Sequence, residues 1–277
     1  MNKQTEESTG LDPREQKVVR HRTRMRPAVI HEIVREEGEE ELSRSFAALW
    51  WSGIAAGLSM GFSLVSVSLL NHYLPDAPWA HVIASAGYTS GFIIVILARQ
   101  QLFTENTITA LLPVINQRRG ASWDGMLRLW GIVLAANAVG AFFFALAVES
   151  GLLYFGLPSE VFAQPGLKIL KYPVEVMFVK AIAAGWLIAA LVWVLPTVEN
   201  SKFVVIFFFT WLIGLGDYAH IVAGMAEVWV PILEGQVSLG RGLLVFFLPT
   251  LAGNIVGGSA IFALINYAQV RREVGEE

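Results

Sequence analysis

The residues with the greatest chemical potential sit where a membrane chain ordinarily carries none. Phe203-Val-Val-Ile-Phe-Phe-Phe-Thr-Trp-Leu-Ile213 is a solid apolar run, and Gly214-Leu-Gly-Asp-Tyr-Ala-His220 follows it directly. Apolar character resumes from Ile221 to Val230. Backbone breaks at membrane depth are tolerated only where they are buried in protein or line a cavity. An ionisable side chain there is a functional-site candidate by default. His220 is the natural centre, because an imidazole with an ordinary pKa of about 6.5 changes charge near neutral pH. The plain alternative is a satisfied buried histidine bonded to a backbone carbonyl; its place inside an interrupted helix favours a pore role. Asp217, three residues earlier, reads as a cap for the resumed helix, a position that Asp prefers.

The elements that must hold such a group are legible from composition. Of 277 residues, 55% are hydrophobic and 16% charged, whereas soluble domains run at roughly 45–50% apolar and about 25% charged. Nine of the twenty Lys and Arg residues precede Phe46, so the remainder is greasier still. A net charge of -3 leaves no basic face outside that tail and argues against a nucleic-acid partner. The absence of cysteine excludes disulfides, thiolate metal sites and Cys catalysis. No paired carboxylates, ligand cluster or nucleophile–base pair converges, which argues against an enzyme and implies neither cofactor nor metal. The polar first forty residues show no cleavable signal-peptide pattern. Composition therefore points to a polytopic membrane protein.

Six apolar segments reach the roughly 20 residues that a spanning helix needs: 46–70, 79–116, 124–149, 172–195, 203–231 and 241–267. The predicted organisation is a cytoplasmic N-terminal tail over 1–45, a six-helix transmembrane channel domain over 46–268 and a cytoplasmic C-terminal tail over 269–277. Residues 1–26 read as polar and disordered. A short amphipathic helix is expected over 27–37, lying at the interface or as a solvated helix. Arg35, Arg44, Arg118, Arg119, Lys202, Arg271 and Arg272 flank alternate segment ends, which places both termini inside by the positive-inside rule. Lys168, Lys171 and Arg241 are weaker exceptions on the other side. Trp50, Trp51, Trp79 and Trp229 read as interfacial belt residues.

Two segments are long and interrupted. The second loses its apolar character at Ala98-Arg-Gln-Gln-Leu-Phe-Thr-Glu-Asn106, and the fifth at Gly214–His220. Each is followed by a helix with a matching motif, Ala136-Asn-Ala-Val-Gly-Ala141 and Gly253-Asn-Ile-Val-Gly-Gly258. Phe103 precedes Asn137 by 34 residues, as His220 precedes Asn254. Two halves with three spans each must be inverted relative to one another, and interrupted segments at matching places are the best pointer to a transporter's binding site. The small residues around Asn137 and Asn254 let helices approach closely. The expected fold is an all-α polytopic membrane protein, six transmembrane helices in two inverted three-helix repeats, aquaporin-like, with broken second and fifth helices.

Leu102-Phe-Thr104 at the first break, His220 after the second and Gly253-Asn-Ile-Val-Gly-Gly258 together resemble the formate/nitrite transporter family over about residues 28–270, nearest to its YfdC-like bacterial inner-membrane branch. The resemblance implies homopentamers with a separate pore through each protomer, in the bacterial inner membrane. It implies that Leu102, Phe103 and Thr104 form a loop beside the pore that His220 faces. Tyr88, Phe92, Ile188 and Ile213 would supply narrow apolar rings, and Lys168, or Lys171 near it, a vestibule cation. The sequence departs from the family pattern at Ala219 and Gly224, where relatives carry Glu and Asn around the histidine. It also departs at Arg99, where relatives carry a small residue, and at Lys180 inside the fourth span. Arg99 reads as half of an ion pair with Glu105, Asp217 or Glu175, or as an anion ligand.

The expected function is passage of small monovalent weak-acid anions, of formate or nitrite type, or of their neutral acids. Taking an ion out of water costs several kcal/mol even after relaxation, so either a cationic vestibule concentrates the anion or a proton neutralises it. His220 and Thr104 would form the polar station, with positive helix N-termini pointed at it. Two alternatives stand beside this: a membrane sensor or assembly protein on the same fold, and a small-neutral-solute pore. The second lacks the twin Asn-Pro-Ala signature of water channels.

Overall fold

The computed structural model describes residue 12, residues 25–117 and residues 120–275. The rest of the polar stretch 1–26 and the Arg118-Arg119 pair lie outside the described residues. All regular structure among the described residues is helical. In chain order it comprises α1 (Pro27–Ser43), α2 (Phe46–Tyr73), α3 (Ala80–Leu97), α4 (Phe103–Thr109), α5 (Leu111–Ile115), α6 (Trp123–Glu149), α7 (Ser159–Ile169), α8 (Val174–Thr197), α9 (Lys202–Leu215), α10 (Ile221–Leu233) and α11 (Leu239–Glu273). Five of these, α2, α3, α6, α8 and α11, are long and apolar enough to cross a membrane; α9 and α10 are shorter apolar helices. Two π-helical stretches, Gly242–Phe247 and Val256–Ala263, lie within α11.

Local chemistry sets several helix starts. Ser45 accepts from the Ala48 N–H at 3.3 Å and Ser122 from the Gly125 N–H at 3.0 Å, each filling one of the orphan donors of a first turn. Packing then follows size. Between α2 and α6 a side chain at Gly57 would fall 2.3 Å from the Asn137 carbonyl, and one at Gly140 would fall 2.3 Å from that of Ile54. Between α8 and α11 the same holds for Gly185 against the Asn254 carbonyl at 2.4 Å and Gly257 against that of Ile182 at 2.1 Å. Membrane helices gain little from hydrophobic exclusion against each other, so such close backbone contact carries the association. About half of each spanning stretch is buried in protein. The outer faces expose Phe62, Phe143, Val179, Trp186 and Leu244, as a lipid-facing surface requires.

Helix α1 runs the full length from Pro27 to Ser43, beyond the expected end, and packs on the body of the protein. It buries Ile30, His31, Val34, Arg35 and Gly38. Gly38 rests on the Thr109 carbonyl, and the His31 ring lies 6.3 Å from Trp193 and 6.1 Å from Tyr267. Arg35 bonds Glu32 at 2.6–2.8 Å and also pairs with Glu39. The end of α11 packs against α1, so these two elements gather at one end of the bundle, here called the tail side.

Candidate pore site

The site is assembled at two helix starts that face each other. His220 is the N-cap of α10, in extended backbone (φ -105°, ψ 127°), and its Nδ1 accepts from the Ala223 N–H at 3.2 Å. Leu102 holds the same place before α4 (φ -110°, ψ 124°), with Thr104 in the first turn. Thr104 Oγ1 and His220 Nε2 are 2.7 Å apart, and both residues are fully buried. A backbone N–H can only donate, so Nδ1 is the acceptor and the proton of the neutral ring sits on Nε2. Nε2–H therefore donates to the Thr104 hydroxyl, whose own hydrogen is left free to donate.

Two asparagines hold these starts in place. Asn137 accepts from the Phe103 N–H at 3.0 Å and donates to the carbonyls of Gly53 and Gln101, each at 2.8 Å. Asn254 accepts from the Ile221 N–H at 2.9 Å and donates to the carbonyls of Ala181 and Ala219 at 2.8 and 2.9 Å. The matching positions are thus Leu102 with His220 and Phe103 with Ile221. The equal 34-residue spacing had paired Phe103 with His220, one residue out of register, because it counts to the cap in one half and to the first donor in the other.

Apolar side chains close around the polar pair. Phe92 is fully buried with its ring 4.8 Å from that of His220, and Tyr88 lies 5.4 Å from Phe92. Ile188, Ile213 and Leu102 are buried as well. The buried Phe103 packs edge-on against Trp130 at 5.8 Å. A cavity opens on each side of this plug. The far vestibule, about 530 Å³, is lined by Tyr88, Ile213, Asp217, Glu227, Lys168 and Lys171 among others. The tail-side vestibule, about 380 Å³, is lined by Glu37 and Glu41 of α1 and by Arg99, Gln101, Glu105 and Lys202. Gln101 ties its rim to α1 by donating to Glu41 at 2.6 Å.

Several polar residues stand differently from their sequence reading. Asp217 caps nothing: three residues upstream of the α10 cap, it adopts φ +49° and accepts from Lys168 Nζ at 2.8 Å and from the Tyr172 hydroxyl at 3.3 Å. Burial and the Asp217 charge together push the Tyr172 phenol up. Arg99, at φ +53°, lies on the tail side and makes no ion pair among the described residues. Asp217 is already held by Lys168, and Glu105 Oε1 is buried without a partner. Lys180 donates to the Gly216 carbonyl at 3.0 Å and stands 4.6 Å over the Tyr172 ring, tying down the last turn of α9. Gly224 leaves room for Phe246, whose ring would lie 2.4 Å from a side chain there. Ala219 offers only its carbonyl, taken by Asn254.

Three groups escaped the sequence reading. His72 and His81 line the far vestibule, His81 with Nε2 3.1 Å from the Leu215 carbonyl. Glu227 lines it too and went unremarked inside the apolar run after His220. Its spacing of seven residues, two helical turns, was the available signal.

Residues 28–268 match the family model of the formate/nitrite transporter. The chain is 44% identical over 252 residues to inner membrane protein YfdC of Escherichia coli, covering 91% of this chain and 81% of that protein. It is 24% identical over 239 residues to formate channel FocA of Haemophilus influenzae, covering 75% and 81%. Among solved structures, an FNT family ion channel superposes with a TM-score of 0.72 at 22% identity, covering 88% of this chain and 96% of the other. A pentameric formate channel with formate bound gives 0.69 at 17%, covering 86% and 98%. The chain therefore belongs to the formate/nitrite transporter family.

Proposed function

We propose that this protein is a membrane channel passing small monovalent weak-acid anions, of formate or nitrite type, or their neutral acids. The observation that carries the reading is the Thr104–His220 pair, 2.7 Å apart and fully buried between two vestibules. A sealed apolar plug with one polar contact admits a small solute only if that contact replaces the water it gives up. The Thr104 hydroxyl, polarised by His220, offers a hydrogen to the solute oxygen, while Tyr88, Phe92, Ile188, Ile213, Leu102 and Phe103 exclude larger or hydrated species. Lys168 is already paired with Asp217, so Lys171 is the vestibule cation that attracts anions from the far side. Arg99 does so on the tail side.

In this reading α9 and α10 together make one crossing, as do α3 to α5, giving six spans in two inverted halves. Both tails lie on the cytoplasmic side of a bacterial inner membrane, with 1–45 and 269–277 flanking a channel domain over 46–268. The protomers assemble as a homopentamer, as the named neighbour does. The test is stopped-flow uptake into proteoliposomes of formate, nitrite, acetate, lactate and hydrosulfide. Uptake of one or more of the weak acids, reduced by His220→Ala in protein that still assembles, is expected. No flux of any of them from a folded oligomer contradicts the reading and favours a sensor or assembly role.

A further inference from the structure

The far vestibule holds a carboxyl group that the reading above does not use. Glu227 lies on α10 two turns beyond His220, about 10 Å along the same face. It is 7% exposed and lines the vestibule with Tyr88 and Ile213, the residues at the plug. Among the described residues its carboxyl makes no hydrogen bond and no ion pair. Asp217, the other carboxylate there, is satisfied by Lys168 and Tyr172. Helix α7 fixes the Glu227 backbone, since a side chain at Gly166 would fall 2.2 Å from its carbonyl oxygen. The other titratable groups on this cavity are His72 from α2, His81 and Tyr88 from α3, Lys168, Lys171 and Tyr172 from α7 and its end, and Asp217 and Tyr218 from the break before α10.

We propose that Glu227 is a charge-selecting residue of this vestibule, a deepening that rests on the weak-acid channel reading. As a carboxylate it faces the approach to the plug unpaired and repels an arriving anion. With a proton taken from hydronium in the acidic solution of the vestibule, leaving water, it loses that charge and donates a hydrogen bond to the oxygen of the same solute. The unpartnered side chain is therefore a selectivity element, and it makes entry from the far side depend on acid.

The test is formate uptake by the reconstituted full chain from about pH 5.5 to about 8, wild type beside Glu227→Gln and Glu227→Asp. Glutamine is neutral and can donate, so uptake at the upper end is expected to rise about fivefold, as relief of like-charge repulsion allows. The acid dependence should flatten in Glu227→Gln and persist in Glu227→Asp. If the Gln variant fails to assemble, Glu227→Ala carries the same expectation of flattening. An unchanged pH profile with robust flux overturns this proposal alone, as does loss of uptake at every pH from an assembled Gln variant. No uptake by any of the three proteins overturns the channel reading, and this proposal with it.

Discussion

Around Asn137 and around Asn254 the chain builds the same joint, yet the residue that each joint presents differs. Both asparagines accept from the first N–H of a helix and donate to two carbonyls, one on the connection and one on the neighbouring long helix. Both caps share nearly the same backbone angles. One cap is Leu102 and the other His220. The scaffold is duplicated and the chemistry is not. A polar contact needs only one donor, and a second histidine at Leu102 would place another polar group in an apolar plug, at a cost. Thr104 then completes the contact from the half that lacks the histidine.

That contrast can be broken or sharpened by experiment. The largest effect is expected at the joints. Asn137→Ala and Asn254→Ala each strand three buried partners, so each should lower stability by on the order of 2–4 kcal/mol. Detergent thermal-melting midpoints should fall together, and a variant that melts like wild type would break the equivalence of the two joints. Next is the cap itself. His220→Leu copies the other half and should leave the helix start held by Asn254, while uptake falls about tenfold or more through loss of the polarising donor. Leu102→Ala removes no donor, so formate uptake should not fall, while the exclusion of larger acids such as lactate should weaken as the constriction opens.

Thr104→Val is smaller, because it keeps the shape and removes only the hydroxyl. Uptake should drop about fivefold with little change in melting, one neutral hydrogen bond's worth.

The smallest effect concerns the two vestibule mouths, of which only the tail-side one is lined by α1. Burial pushes the Glu37 carboxyl up, with Arg99 opposing. A carboxyl raised in the docked state favours docking below the ordinary carboxylate range, and that contribution is lost as pH rises through the raised value. Limited proteolysis of α1 should therefore quicken from mildly acidic to neutral pH, and Glu37→Gln should abolish the change. Equal rates at both pH values would remove Glu37 from the docking of α1.

Much of this was written in the chain. The apolar segments, the small residues beside the two asparagines and the Leu102-Phe-Thr and His220 motifs were legible because periodicity and spacing are local properties. Partner choice was not. Asp217 looks like a cap from its neighbours, and only the fold brings Lys168 to it from 49 residues away. Arg99 had three sequence-plausible acidic partners and pairs with none of them: Asp217 opens on the opposite vestibule, held by Lys168, and Glu105 shares the tail-side vestibule with Arg99 without an ion pair. The need for Gly at 224 shows only beside Phe246, whose ring occupies the space a side chain would take. Glu227 was hidden by its apolar surroundings, although its helical phase with His220 was open to view.

The most direct test of the central claim, that Thr104 and His220 act as one polar station, is a double-mutant cycle on formate uptake. Thr104→Val, His220→Ala and the combined variant would be measured in proteoliposomes at one pH, with assembly checked for each. The account predicts strong non-additivity, the combined variant transporting about as slowly as the slower single variant, because either change already removes the shared contact. Penalties that multiply, or uptake left intact in all three, would contradict it.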